Sequence, residues 1–346
     1  MVTVVTTWFQ GEPEFFNAEN FTIIRLKSKR KSTYQSNPYE MLSWISNAKK
    51  YFADLQQPPK YNICLANFTM PGGVVAKYLK NKFNIPYIIL SHGHDIPWLY
   101  PKEMLFWHLI FYTTIKQICL ASAANILLSE EIKNKADALV GKKYCAKNKV
   151  FTNGLYIEQF NPSIKGDKLK IIFIGRLVAQ KAPMLFLETI KLLQKEAIPF
   201  EVVILGDGAL KQKMKLYVEK NNLYPVSFKG KVSHAEVLQA LSTSNVLIST
   251  SEFEAMSMAI LEAVSTGVYV IATKVNGIEK VIKEDINGNI VDENKPTALL
   301  QKIKKFYATK VLNEYTYPAD YIEEMSNRFL WDKIGKQYIS LFKEII

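Results

Sequence analysis

The sequence predicts an α/β protein built from two doubly wound parallel-sheet domains that face a cleft. Three observations carry that prediction. Short apolar, β-branched runs alternate with helix-period segments nearly from end to end. One polar stretch, NPSIKGDK at residues 161–168, interrupts the alternation and divides it into two series. The length, 346 residues, is too great for one small domain and suits two of about 150 each.

In the first series Val2–Thr6, Tyr61–Leu65, Tyr87–Ser91 and Asn125–Leu128 read as buried strands. Tyr39–Leu55 and Val74–Phe83 read as helices between them. The second series has strands at Leu169–Ile174, Glu201–Leu205, Val226–Lys229, Val246–Ser249 and Tyr269–Ala272. Its helices fall at Met184–Gln194, Leu210–Asn221, Ala235–Ser242 and Met258–Ser265. Parallel strands need crossover connections, so this alternation implies sheets wrapped on both faces. Ligands on such sheets lie beyond the carboxyl ends of the strands, and both domains would offer loops to one crevice.

Composition excludes several classes. Apolar residues make up 48% and charged residues 22%, ordinary globular usage that rules out wholesale disorder. Cys64, Cys119 and Cys145 are an odd number without C-x-x-C spacing, so neither a disulfide framework nor a cysteine zinc site is expected. The longest apolar run, Met104–Ile115, is broken by His108 and a Thr pair and closed by Lys116, short of the roughly 20 residues a membrane span needs. The opening MVTVVTTW lacks the basic start and long apolar core of a secretory leader. The expectation is a cytoplasmic protein, free or peripheral at an inner membrane face.

The formal charge is +12, and residues 1–160 hold 19 basic against 11 acidic residues, a net +8. The densest run is RLKSKRK at 25–31. Such a field suits nucleic acid, an anionic membrane or a phosphorylated ligand, and equally a solvated edge. Nucleic acid is not expected, because neither a sheet face of stacked aromatics nor a recognition helix is visible. The stretch MLFWHLIFY at 104–112 reads equally as a buried core helix or as an aromatic face for a membrane surface.

No glycines have the spacing of a nucleophile elbow or a Walker loop, and G-x-G-x-x-G is missing because Gly206-Asp207-Gly208 is followed by Leu210 and Lys211. No Asp-x-Asp pair is present to hold Mg²⁺ on a diphosphate. His92 and His94 could open a metal site, but only His108 and His234 remain to complete it. A single cleft histidine, His92, donating to a ligand hydroxyl is the better reading.

Two loops carry the chemistry. In IIFIGRLVAQKAP a strand ends at Gly175 and hands over to Arg176 and Lys181 before Pro183 opens a helix. Two cations at the carboxyl end of a parallel strand suit a diphosphate, the guanidinium through bidentate contact. In TSEFEAMSMAILEAVSTG a loop carries Glu254, a helix begins near Ser257–Met258, and Glu262 follows in its early part. Free backbone N–H groups at that start can hold a phosphate while the flanking carboxylates accept from sugar hydroxyls. On spacing alone, each pair reads sooner as surface charge.

Taken in order, these segments resemble the family 4 (group 1) glycosyltransferases, which have the GT-B fold. The resemblance runs through LANFTMPGGVVAKYL, YIILSHGHDI, VFTNGLYIEQF, IIFIGRLVAQK, VILGDGALK, FKGKVSHAEV and EAMSMAILE with its continuation STGVYVIATKVNGIEKVI. RFLWDKIGKQYISLFKEI is similar to the family's closing helices. Departures are Ala255 where the family has glycine, Asn276-Gly277 where it has a glycine pair, Lys280 where it has glutamate, and a first glycine-rich loop reduced to Gly11.

The resemblance implies a retaining transferase that moves a sugar from a nucleotide diphosphate to an acceptor hydroxyl, with no metal or other cofactor. It implies an acceptor-side Rossmann-like domain over 1–163, completed by the helix 328–346, and a nucleotide-sugar domain over 164–327. Arg176 and Lys181 would neutralise the diphosphate, Glu254 would bind donor hydroxyls, and Glu262 would hold the ribose. Gly175 would lie in the diphosphate loop. The backbone of Met256 and Ser257 would meet the distal phosphate, and that of Lys231 and Val232 the base. His92 would contact the sugar near its reacting face, and Gly11 would lie against the donor. Expected partners are a UDP- or GDP-linked sugar, a saccharide or lipid-linked acceptor from surface polysaccharide synthesis, and an anionic membrane surface. An epimerase, a phosphorylase or a silent nucleotide-sugar-binding scaffold of the same fold are the alternatives.

Overall fold

A computed structural model describes residues 1–30, 36–99, 101–156, 168–311 and 319–346. The chain forms two compact units, Met1–Phe151 with Tyr338–Ile346, and Thr152–Gln337.

The first unit holds two sheets. Val2–Thr7 (β1) pairs parallel with Phe21–Leu26 (β3), and Phe15–Asn17 (β2) lies antiparallel on the far side of β3. Asn37 then caps Pro38–Ala53 (α1) in a reciprocal box with Glu40, and Pro38 sits at the start where its missing N–H costs nothing. Cys64–Asn67 (β4), Tyr87–Leu90 (β5), Ala124–Leu127 (β6) and Asn148–Val150 (β7) make a four-stranded parallel sheet in that order. Val74–Phe83 (α2), Pro101–Ala121 (α3) and Glu130–Val140 (α4) are the connecting helices. The first strand of this sheet starts at Cys64 rather than Tyr61, because pairing begins where the Cys64 amide meets the Pro86 carbonyl. Tyr87, Ile88 and Ile89 are wholly buried, as a strand covered on both faces requires.

The second unit has one sheet of six parallel strands. Leu169–Ile174 (β8), Phe200–Leu205 (β9), Val226–Gly230 (β10), Val246–Ser249 (β11), Tyr269–Thr273 (β12) and Gly288–Val291 (β13) lie in the order β10-β9-β8-β11-β12-β13. Pro183–Leu193 (α5), Lys211–Lys220 (α6), His234–Ser242 (α7), Met258–Ser265 (α8) and Pro296–Phe306 (α9) follow their strands. Ala319–Phe329 (α10) and Trp331–Ile345 (α11) close the chain. Numbered from the unit's own first strand, the order is 3-2-1-4-5-6, the doubly wound arrangement with its topological switch point between β8 and β11. Ile171, Ile172 and Phe173 of β8 and Val246, Leu247 and Ile248 of β11 are all buried in one core.

The compact units divide at 151/152 and 337/338, whereas the sequence places the joins at 163/164 and 327/328. Two contacts account for the difference. Leu155 bridges to Leu330, and Gly154 lies so close to Trp331 that a methyl there would fall 2.4 Å from the indole. Both tie 152–156 and the start of α11 to the second unit. The expected linker NPSIKGDK lies outside the described residues apart from Lys168.

In α3 the stretch 104–112 is helical, but it is no core helix throughout. His108 is buried, while Leu105, Phe106, Leu109 and Ile110 are exposed. Among the described residues, no helix is long and apolar enough to cross a membrane.

Candidate active site

The loop after β8 is shaped by glycine. Gly175 donates to Leu205, Leu177 donates to Asp207, and Leu210 donates back to Leu177, at 2.8–3.0 Å. This tight lacing leaves no room for side chains: a methyl on Gly206 would sit 1.9 Å from the Gly175 carbonyl oxygen, and one on Gly208 would sit 2.6 Å from that of Leu177. The bond to Lys211 and the Gly208 amide lower the pKa of Asp207. The Gly-Asp-Gly turn that fails as a dinucleotide fingerprint is thus a brace for the Arg176–Lys181 loop.

On that loop Arg176 donates to Gln180 Oε1 at 3.0 Å, and Gln180 Nε2 donates to the Phe253 carbonyl at 3.1 Å. The Glu252 amide donates to the Gln180 carbonyl at 2.9 Å, and Thr250 Oγ1 lies 2.9 and 3.0 Å from the carbonyls of Lys181 and Ala182. These bonds lock the β8 loop to the β11 loop across the switch point. At their junction Lys181 is ion-paired to Glu254, and Ser251 Oγ donates to the same carboxylate at 2.8 Å. The pair is largely sheltered, the Lys181 side chain being 15% exposed and that of Glu254 10%. Gly175 lies beside the Lys181 stem.

Four residues beyond Glu254, at Met258, the chain enters α8. The first-turn amides of α8, like those of any helix, have no intrahelical acceptor, and Ser257 before them makes no side-chain cap. Met256 Sδ accepts the Asn153 amide, which orients the approach. Met256, Ser257 and Ile260 border an open depression of about 250 Å³, mouth included, closed opposite by Val275–Ile278.

Glu262 lies one turn further along α8, its side chain 13% exposed. Burial pushes its pKa up, and His234 beside it pulls back. His234 Nε2 stands 3.2 Å from Glu262 Oε1 at the first position of α7, three residues past Lys231 and two past Val232. Lys231 is exposed and Val232 packs on the core edge. The structure therefore brings Gly175, Arg176, Lys181, Glu254, Met256 and Ser257 into one cluster, and ties Glu262 to the turn that carries Lys231 and Val232.

His92 and Gly11 belong to the first unit. His92 follows β5 and its Nε2 is 3.0 Å from Asn67 Oδ1. Burial lowers its pKa against the opposing pull of Asp95, so the ring is neutral at pH 7. Gly11 is in left-handed backbone (φ +95°) in an exposed turn after β1, with no atom near the place a side chain would take.

Comparison with known proteins decides the class. Residues 157–325 match the family described as Glycosyl transferases group 1. This chain is a glycosyltransferase. It is 28% identical over 88% of its length to an uncharacterized glycosyltransferase of Methanocaldococcus jannaschii, covering 81% of that protein. It is 32% identical over 48% of its length to the Escherichia coli UDP-Gal:alpha-D-GlcNAc-diphosphoundecaprenol alpha-1,3-galactosyltransferase, covering 47% of it. Sucrose-phosphate synthase from Thermosynechococcus elongatus superposes with a TM-score of 0.80 at 19% identity, covering 99% of this chain and 88% of that one. Anabaena HepE in complex with UDP and glucose superposes with a TM-score of 0.73 at 15% identity, covering 93% and 86%. These likenesses show the fold, an α/β protein of the GT-B class.

Four residues of this glycosyltransferase's candidate site were not singled out from sequence: His234, Gln180, Ser251 and Asn67. His234, Gln180 and Asn67 act through partners far along the chain, and Ser251 through Glu254 three residues on. His234 alone had a local signal, being a histidine within the turn that resembles the family's base-contacting segment. Among the described residues, no three His, Cys, Asp or Glu side chains stand together as a metal cage.

Proposed function

We propose that this glycosyltransferase moves a sugar from a uridine or guanosine diphosphate sugar to a hydroxyl of a saccharide or lipid-linked acceptor, with retention and without a metal ion. The observation that carries the reading is the sheltered Lys181–Glu254 pair, set at the switch point beside an uncapped helix start. Cleaving a glycosyl diphosphate builds negative charge on the leaving oxygens and positive charge at the anomeric carbon. Fixed cations and amide groups aimed at those oxygens stabilise the transition state more than the ground state. Arg176, Lys181 and the amides around Met256–Ser257 supply that stabilisation, which is the service a metal would otherwise give. Glu254 accepts from the sugar hydroxyls and Glu262 from the ribose, while the Lys231–Val232 backbone meets the base. Neutral His92 suits a hydrogen bond to a sugar hydroxyl. Support for uridine and a lipid-linked acceptor comes from the relatives whose names include UDP and diphosphoundecaprenol.

Peripheral attachment to an anionic membrane face is part of the same proposal. It rests on the +8 charge of residues 1–160 and on the exposed Leu105, Phe106, Leu109 and Ile110 of α3.

The deciding experiment is a thermal-shift screen of UDP-, GDP- and ADP-sugars in EDTA, on wild type and Glu262→Ala. A ligand stabilises in proportion to its occupancy of the native state, so the donor raises the melting point and the variant loses the shift. Flat responses to every nucleotide sugar refute the reading. Turnover of the donor into an epimer with no acceptor present would replace it with an epimerase.

A further inference from the structure

We propose that Asn67, Phe68 and His92 form a sugar-ring subsite at the carboxyl end of β4, where the Phe68 ring takes the apolar face of an acceptor pyranose. The inference deepens the transferase reading and rests on it for the word acceptor.

The backbone draws attention to Phe68. Among the described residues, six non-glycine residues take positive φ. Asn84, Asn222 and Asp285 are of the types that tolerate it. The other three are Ala182, which directly follows Lys181, and Phe68 and Trp98. Phe68 (φ +64°) leads the loop after β4, and Trp98 (φ +68°) stands on the loop that carries His92. A bulky side chain in this region is strained and persists only where its surroundings over-determine it, as functional loops do.

Those surroundings are rigid. Buried Asp95 accepts from the Thr69 amide at 2.8 Å and from Ser91 Oγ at 2.7 Å, while Thr69 Oγ1 donates to the Asp95 carbonyl at 3.2 Å. The loops after the adjacent strands β4 and β5 are thereby riveted together. Gly72 folds back so closely that a methyl on it would fall 2.4 Å from the Asn67 carbonyl oxygen. Yet the ring this scaffold holds faces outward: Phe68 is 36% exposed, whereas Tyr87 on the adjacent strand is wholly buried.

Beside the exposed ring stands polar chemistry. The Phe68 and His92 ring centroids are 4.6 Å apart, tilted by 43°. With His92 Nε2 donating to Asn67 Oδ1, the His92 Nδ1 is an acceptor and the Asn67 amide keeps two donor hydrogens. An apolar platform edged by one acceptor and two donors matches a pyranose, which has C–H groups on one face and hydroxyls round its rim. The carboxyl end of a parallel sheet is also where ligands of doubly wound folds sit.

The test uses the full chain and three probes: methyl α-D-glucopyranoside, methyl α-D-galactopyranoside and methyl N-acetyl-α-D-glucosaminide. Saturation-transfer NMR is expected to show contact through the C–H face of at least one. Phe68→Gly removes the ring and also the steric strain, so it is expected to melt at or above the wild-type temperature while the sugar binds about tenfold more weakly or not at all. Phe68→Trp keeps the contact and Phe68→Leu loses it. No transfer from any probe, an undiminished signal in Phe68→Gly, or a Phe68→Gly melt below wild type each overturns the proposal. The nucleotide-sugar shift is measured in parallel on the same variants. If it persists while the pyranoside contact is absent, the subsite fails and the transferase reading stands; if it is absent from wild type, the transferase reading fails instead.

Discussion

Replacing Lys181 by alanine perturbs stability and chemistry together, and the structure sets both magnitudes. Among the described residues the ammonium is the one basic partner of Glu254, whose side chain is 10% exposed and otherwise accepts only from Ser251. Removing one member of a buried pair leaves an uncompensated charge and costs about 3–5 kcal/mol. For a unit of 150–250 residues each kcal/mol moves the melting point by about 2–4 °C, so Lys181→Ala is expected to melt roughly 6–20 °C below wild type. The lost transition-state contact costs about 3 kcal/mol more in the rate, a hundredfold or greater fall in kcat. Adding Glu254→Ala removes the stranded carboxylate. The double variant is therefore expected to recover most of the stability and none of the activity. Differential scanning fluorimetry and donor turnover measure the two effects separately. A single variant that melts within about 2 °C of wild type and keeps turnover within about threefold refutes the burial argument and the catalytic one. So does a double variant that regains activity.

Further expectations follow from the same geometry. Burial raises the pKa of Glu262 and His234 lowers it again, and the proposed ribose contact uses the ionised form, so donor affinity is expected to fall as pH drops through that raised value. His234→Gln removes the opposing pull and shifts this acidic limb to higher pH, measured as donor KM against pH; an unmoved limb dismisses His234 from the role. Gly206→Ala places a methyl 1.9 Å from the Gly175 oxygen in backbone that disfavours side chains, and should cost at least about 3 kcal/mol by chemical denaturation, with donor binding lost alongside. Phe106→Ser with Leu109→Ser should halve, or more, the co-sedimentation with phosphatidylglycerol vesicles while leaving the melting point within about 2 °C, since both side chains are exposed. Wild type that ignores anionic vesicles removes the membrane from the proposal.

The second unit was the more legible half. IIFI, VLI and YVIA are continuous apolar runs, and strands covered on both faces leave that trace. The first unit hid more. β2 and β7 have three residues each, too short for a period, and β3 runs directly into the basic run RLKSKRK. The cations and carboxylates of the site were visible as residue types at the ends of strands. Their pairing was not. Lys181 and Glu254 are 73 positions apart, and what joins them is the adjacency of β8 and β11, set by strand order rather than by any local pattern. His234 was concealed differently, since Ser233 and Glu236 form a capping box whose local signature explains the helix start without the residue between them.

The Lys181–Glu254 pair also bears on which ligands the site accepts. Each charge satisfies the other, and the bonds through Gln180, Thr250 and Ser251 keep both loops in place. A bare phosphate that drew Lys181 away would strand a sheltered carboxylate, and a bare sugar that engaged Glu254 would have to compete with an ammonium already in contact. Each half-ligand therefore meets a desolvation cost that its own contacts do not offset. A diphosphate joined to a sugar meets neither, because the phosphate takes the cation as the hydroxyls take the anion. On this reasoning the gain in affinity from UDP to the matching UDP-sugar exceeds what the added hydroxyl contacts supply, and Glu254→Gln, which leaves no charge to strand, narrows that gap by strengthening UDP relative to the UDP-sugar. Calorimetric titration of both ligands into both proteins measures it, and an unchanged ratio would show that the two charges do not act as one lock.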